Sequence, residues 1–269
     1  MKNCDNETVE DFGREWKTFS QKKHISELKK IYNNYFKIFP FERISKNSFG
    51  FDAGCGSGRW AQFMAPNVKE LHCIEPSKEA INVAKNNLKK MKNCKFVNLT
   101  IDEYFSKKTI LYDFGYCLGV LHHIPNTQIA LNKMTKKLKK SSPLLLYIYY
   151  NFENKSLIFK SIWFFSNLLR IFISKLPFVI KKKITDFIAL IVYFPMSKIN
   201  KYFDLKLPLS YYKDKSFYVM RTDSLDRFGT RLEKRFSKKM ITRIMENAHL
   251  KNIQFYKSEP YWVVIGYRK

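Results

Sequence analysis

No run of about 20 apolar residues occurs in the chain, so no segment reads as a membrane-spanning helix. Nor does an apolar stretch follow Lys2, which excludes a secretory signal and leaves the cytoplasm as the expected address. The five cysteines (Cys4, Cys55, Cys73, Cys94 and Cys117) are odd in number and scattered. Their spacing supports neither a disulfide framework nor a zinc site, so no metal is expected and the thiols read as free in a reducing compartment. Acidic residues are few, 23 against 49 Lys and Arg, giving a formal charge of +26. That excess alone points to nucleic acid or an acidic membrane surface. Arginine is scarce too, however, at only ten residues, and a Lys-rich solvated surface accounts for the same charge.

What is present suits one α/β core of ordinary size with an insertion, because hydrophobic residues make up 45% of the 269 and no low-complexity tract dilutes them. Residues 1–47 read as an N-terminal helical extension, with apolar positions at Ile25, Leu28, Ile31, Tyr35 and Ile38 closed by Pro40. Residues 48–150 alternate strand-like runs (SFGFDAG, LHCIE, CKFVNL, DFGYCLGV, PLLLYIYY) with Lys-rich amphipathic stretches, the signature of βαβ units around a parallel sheet. Residues 151–236 break that rhythm as an aromatic, helical insertion. Within it Ser156, Lys160, Asn167, Arg170 and Ser174 share one helical face and leave a wide apolar face. Two accounts suit the 157–196 segment: a cap packed on the sheet and N-terminal helix, or a surface for membrane or lipid contact. Residues 237–269 read as a helix and a β-hairpin turning near Glu259 and Pro260.

Chemistry concentrates at FDAGCGSGRW, residues 51–60. Gly54, Gly56 and Gly58 supply the backbone freedom that a tight strand-to-helix turn needs beside a ligand. The spacing is not that of the dinucleotide fingerprint, since Arg59 stands where that pattern requires glycine, and no Gly-Lys-Ser/Thr follows. Asp52 precedes the loop; its carboxylate is awkward beside a pyrophosphate and well suited to a cationic aminoacyl group. Glu75 ends the second strand, where a carboxylate can accept from both ribose hydroxyls, and Pro76 and Ser77 open the next helix with Ser77 as N-cap. Asp102 follows the third strand and could accept from an adenine amino group or cap the helix DEYFSKK.

These segments, with YDFGYCLGVLHHIPN and KMTKKLKKSSPLLLYIYY, resemble the class I S-adenosylmethionine-dependent methyltransferases over roughly residues 48–150 and the terminal hairpin. The resemblance implies a Rossmann-like seven-stranded sheet, parallel but for one antiparallel strand, and S-adenosyl-L-methionine as cofactor. It places Asp52, Gly54, Cys55, Gly56 and Arg59 around the methionine end, Glu75 and Pro76 at the ribose, Asp102 at the adenine, and Leu118 and Gly119 near the sulfonium. One departure stands out: LKKSSP replaces the glycine-containing turn usual before the fifth strand.

A protic methyl acceptor needs a base, and His122 and His123 follow the fourth strand beside the expected methyl group. Either one contacts substrate or both serve the loop's architecture. Trp16 and Phe19 could close the cofactor mouth or simply pack. Insertions placed like this one fold over the acceptor in similar proteins, which nominates Tyr211, Tyr212, Tyr218, Arg221 and Arg227 as substrate residues. The arginines would clamp an anion or form ion pairs with neighbours such as Asp226. The expected partner is a small-molecule or lipid-linked acceptor. An RNA methyltransferase is the rival that charge suggests, although GVLHHIPN lacks the Asn/Asp-Pro-Pro-aromatic run of exocyclic-amine methylation. A non-catalytic, membrane-docked scaffold is the rival from another class.

Overall fold

The computed structural model describes all residues except 1–2, 22–23, 108, 154, 205–207 and 257–261. It divides into two compact units, residues 1–151 with 234–269, and residues 152–233. The hairpin turn expected at Glu259 and Pro260 lies outside the described residues.

The larger unit begins with α1 (Asn6–Thr18) and α2 (Ile25–Tyr35). The Asp5 carboxylate caps α1 by accepting from the Thr8 amide at 2.8 Å. α2 stops a turn earlier than its apolar pattern suggests, and Phe36 and Phe39 enter the core from the irregular segment that follows. The chain then alternates β1 (Phe49–Ala53), α3 (Ala61–Met64), β2 (Glu70–Ile74), α4 (Lys78–Asn87), β3 (Cys94–Val97), α5 (Ile101–Lys107), β4 (Phe114–Leu118), α6 (Thr127–Thr135) and β5 (Pro143–Ile148). After the smaller unit's α7 (Leu157–Ile173), α8 (Phe178–Ile188), α9 (Phe194–Tyr202) and α10 (Phe217–Gly229), it returns as α11 (Lys238–Asn247), β6 (Leu250–Tyr256) and β7 (Trp262–Arg268).

The strands form one sheet in the order β3-β2-β1-β4-β5-β7-β6. β7 runs antiparallel to both its neighbours, and the remaining pairs are parallel. This is the Rossmann-like seven-stranded arrangement that the sequence predicts. Alternation along each strand builds a core on both faces. On β5, Leu145 and Tyr147 join the cluster under α2, α3 and α4, while Leu144, Leu146 and Ile148 join the one under α5, α6 and α11. The glycine-free turn before β5 closes with Ser141 at φ 63°, its amide donating to the Arg268 carbonyl at 2.8 Å. Serine thus takes the left-handed conformation usually left to glycine.

In the smaller unit the polar face of α7 turns inward. Arg170 is buried and donates to the carbonyls of Thr230 and Arg231 at 2.9 and 3.1 Å, and to Asn167 Oδ1 at 2.8 Å. Lys181, also buried, donates to the Ser174 and Gly229 carbonyls at 3.0 and 3.1 Å. It thereby satisfies carbonyls at the ends of α7 and α10 that have no intrahelical partner. Among the described residues no helix is long and apolar enough to cross a membrane.

Candidate active site

The cleft of the larger unit opens at the carboxyl ends of β1, β2 and β4, where open α/β sheets bind ligands. Gly54, Cys55, Gly56 and Arg59 line one wall, Glu75 and Pro76 a second, and Leu118, Gly119 and His123 a third. Thr100 and Ile101 complete the far end. Gly54 and Gly56 hold φ of 78° and 53°. A Cβ at Gly54 would meet Val120 at 2.3 Å, so only glycine lets the loop pass so close to the β4 turn.

Asp52 sits on β1 between Cys73 of β2 and Tyr116 of β4, 1% exposed. Its Oδ2 has no hydrogen-bond partner among the described residues. Burial pushes this carboxyl up to about 8; the Tyr116 phenol draws it down, Glu75 raises it and Arg59 lowers it again. Glu75 accepts from the amides of Gly56 and Ser77, both at 3.0 Å. Those bonds hold its carboxyl down, yet burial wins and brings it to about 7. The Cys55 thiol is pushed up to about 11, chiefly by burial, which makes it a poor nucleophile.

Asp102 is not the cap of α5. Thr100 fills that position, exchanging bonds with Glu103 in a capping box: the Thr100 amide and hydroxyl donate to Glu103 Oε2, and the Glu103 amide donates to Thr100 Oγ1. The Asp102 carboxylate instead accepts from the Asn3 side-chain amide at 3.4 Å and pairs with Lys133 at the same distance. Ser77 does cap α4, accepting from the Ala80 amide.

His122 and His123 form a 3₁₀ turn after β4 and face different surroundings. His122 is fully buried, stacked on Tyr149 at 3.8 Å, and accepts the Tyr149 amide on Nδ1 at 3.4 Å. Its proton therefore sits on Nε2. Burial, with His123, Arg235 and Lys234 nearby, holds its pKa well below the usual histidine value. His123 lines the cleft, its ring 4.9 Å from that of Phe12.

Sequence reasoning missed most of the remaining side of this cleft. Asn3, Asp5, Thr8, Val9 and Phe12 line it along with Trp16. Phe19 is buried and not part of the lining. The usable signal was the apolar stripe Val9, Phe12 and Trp16 at i, i+3 and i+7 behind an Asp5 cap. Trp16 packs on the Arg59 guanidinium at 4.5 Å, which Trp60 meets at 4.6 Å. With these side chains in its mouth the cavity measures about 100 Å³, less than the roughly 300–1,000 Å³ of small-molecule sites. A nucleoside-sized ligand needs a wider cleft than this one.

The residues nominated for substrate lie in the smaller unit. Arg221 grips Asp186 with two bonds at 2.9 and 2.8 Å, and Arg227 reaches Glu233 and Ser166 at 3.4 and 3.2 Å. The Tyr212 hydroxyl donates to Asp223 at 3.1 Å, Tyr211 packs edge-on against Tyr212, and the Tyr218 carbonyl accepts from Thr222.

Residues 51–144 match the methyltransferase domain family. Over 89 residues the chain is 27% identical to a ubiquinone biosynthesis O-methyltransferase of Vibrio atlanticus, covering 33% of this chain and 38% of that protein. The chain thus matches well under half the length of the curated relatives. Among solved structures, an O-methyltransferase family protein of Burkholderia thailandensis superposes with a TM-score of 0.55 at 10% identity, covering 91% of this chain and 57% of that one. The N-methyltransferase NodS of Bradyrhizobium japonicum, solved with S-adenosyl-L-homocysteine, gives 0.52 at 12%, covering 97% and 98%. At such identities these structures speak for the fold alone.

Proposed function

We propose that the chain, whose residues 51–144 match the methyltransferase domain family, transfers a methyl group from S-adenosyl-L-methionine to a small-molecule or lipid-linked acceptor. The observation that carries this reading is the buried Asp52 carboxylate, whose Oδ2 has no partner, beside a glycine loop and a second buried carboxylate, Glu75. A dinucleotide pyrophosphate would be repelled there, whereas an ammonium group would be held.

Of the expected cofactor residues, Gly54, Cys55, Gly56, Arg59, Glu75, Pro76, Leu118 and Gly119 line the cleft, whereas Asp52 and Asp102 are not part of its lining. Asp52 would receive the cationic aminoacyl end, with Gly54, Cys55, Gly56 and Arg59 around it. Each Glu75 oxygen accepts one amide and keeps a lone pair for a ribose hydroxyl. Asp102 already accepts from an amide NH₂, the same donor chemistry as an exocyclic amine. When bound, the cofactor supplies an electrophilic methyl on sulfur. The protein would align the acceptor and keep water out, with Leu118 and Gly119 holding the sulfonium region and Phe12 and Trp16 covering the mouth. His123 takes the acceptor's proton. His122, neutral and spending Nδ1 on the Tyr149 amide, positions the turn.

Support for a small acceptor comes from the relatives, which include ubiquinone biosynthesis enzymes. The carboxylate partners of Arg221 and Arg227 speak against a free anion clamp. The five cysteines suit a reducing compartment such as the cytoplasm. Titration calorimetry with S-adenosyl-L-methionine and its demethylated product tests the reading. Micromolar binding of both supports it, and no heat at millimolar ligand overturns it.

A further inference from the structure

The helices of the smaller unit are built inside out. α7 turns Asn167 and Arg170 inward and presents an exposed half-cylinder that is apolar except for Ser161. Leu157, Phe165, Leu168 and Phe172 stand on it with 49–80% of their surface open. α8 repeats the pattern, burying Lys181 and Thr185 while exposing Val179, Ile180 and Phe187. Of the twenty-five large hydrophobic side chains exposed among the described residues, nineteen fall between Leu157 and Phe203. Scattered exposed leucines need no explanation, but a concentration of this kind marks an interaction surface.

Charge decides what the surface meets. Residues 155–203 carry nine basic side chains and one acidic one, Asp186, which Arg221 and Lys182 already hold. Lys175, Lys183 and Lys198 are exposed among the apolar residues. A second copy of the chain would bring the same cations to the contact and be repelled. An anionic bilayer offers hydrocarbon for the apolar arc and phosphates for the lysines, while the helices, too short and interrupted to cross it, can lie in its plane.

We propose that the 157–203 face of the smaller unit docks the protein peripherally on an anionic membrane surface. The inference does not depend on the methyl-transfer reading, since docking is measured without cofactor or acceptor. The test is co-sedimentation of the full chain with vesicles of phosphatidylcholine alone or containing 30% phosphatidylglycerol, about the proportion that gives a strongly anionic surface. Binding is expected to the anionic vesicles, weakened by salt. Phe165→Asp with Phe172→Asp should weaken it at least about tenfold, and Lys175→Glu or Lys183→Glu by about fivefold or more each. Unchanged circular dichroism and melting temperature show that the variants fold. If one unfolds, Phe165→Ser with Phe172→Ser takes its place. The proposal is overturned if the folded chain stays in the supernatant with every vesicle. It is equally overturned if the apolar substitutions leave sedimentation unchanged, or abolish a concentration-dependent dimer seen by analytical ultracentrifugation in place of lipid binding.

Discussion

The indole of Trp16 rests against Gly56: a Cβ added to that glycine would lie 2.9 Å from the indole nitrogen. Gly56 also sits at φ 53° and donates its amide to Glu75. Gly56→Ala therefore strains the loop and pushes on α1 together. The expected outcome is at least about a tenfold loss of cofactor affinity with a loss of roughly 1–2 kcal/mol in stability. Calorimetry and thermal melts measure the two effects separately. Wild-type affinity in the variant would show that the loop does not approach the ligand.

The pH behaviour of Asp52 follows from its burial. Its folded value of about 8 lies above the ordinary 3.8. Between those values the folded chain holds a proton that the unfolded chain has released, so its contribution to stability falls as pH rises from about 4 to about 8. An ammonium ligand needs the carboxylate, so binding below about pH 8 must expel the proton. Affinity should rise from pH 6 to pH 8, with proton release visible as a dependence of the binding heat on the buffer's ionisation enthalpy. Asp52→Asn should reduce that dependence to the part Glu75 contributes with its value of about 7, and weaken binding by about 10- to 100-fold, the scale of a hydrogen bond to a charged group. A flat profile in the wild type would assign the ammonium to another partner.

The two histidines should separate cleanly. His123→Ala is expected to lower kcat by about 10²- to 10⁴-fold on a protic acceptor while leaving cofactor affinity within about threefold. His122→Ala removes a fully buried, stacked ring and should chiefly cost stability, about 2–4 kcal/mol. Turnover surviving in His123→Ala would remove the base from this turn. A lost acidic limb in the pH–rate profile is the signature that a packing role would not produce.

Much of the fold was legible because its signals are local. The β1 loop, the Ser77 cap and the strand ends carrying Asp52 and Glu75 all follow from short-range pattern, and the sheet places them together. The contribution of the N-terminal segment was harder to see because it meets the cleft from far away in sequence: Trp16 packs on Arg59, and the Asn126 amide donates to Asn3 at 2.6 Å. The insertion left two readings open, a cap that buries its apolar face and a surface that exposes it. The structure spends the interior on Arg170 and Lys181 and leaves the apolar arc outside. Periodicity reports that a helix has two faces without saying which one is turned inward. Thr100 as the true cap of α5 was readable in Thr100-Ile101-Asp102-Glu103, a capping box that Asp102 overshadowed.

The turn before β5 allows a prediction of the opposite sign. Ser141 holds φ 63°, a conformation that costs an L-residue roughly 1–2 kcal/mol, and the hydrogen bond from its amide to the Arg268 carbonyl ties the turn to the end of β7. Glycine adopts that angle without the steric cost but gains freedom in the unfolded chain, so part of the benefit is returned. Ser141→Gly should therefore stabilise the protein by about 0.5–1 kcal/mol, read as a higher melting temperature with cofactor affinity unchanged. Ser141→Val, whose branched Cβ suits the left-handed region less well still, should lower the melting temperature. If the glycine variant melts lower than wild type, the serine hydroxyl must stabilise the turn by more than the strain costs.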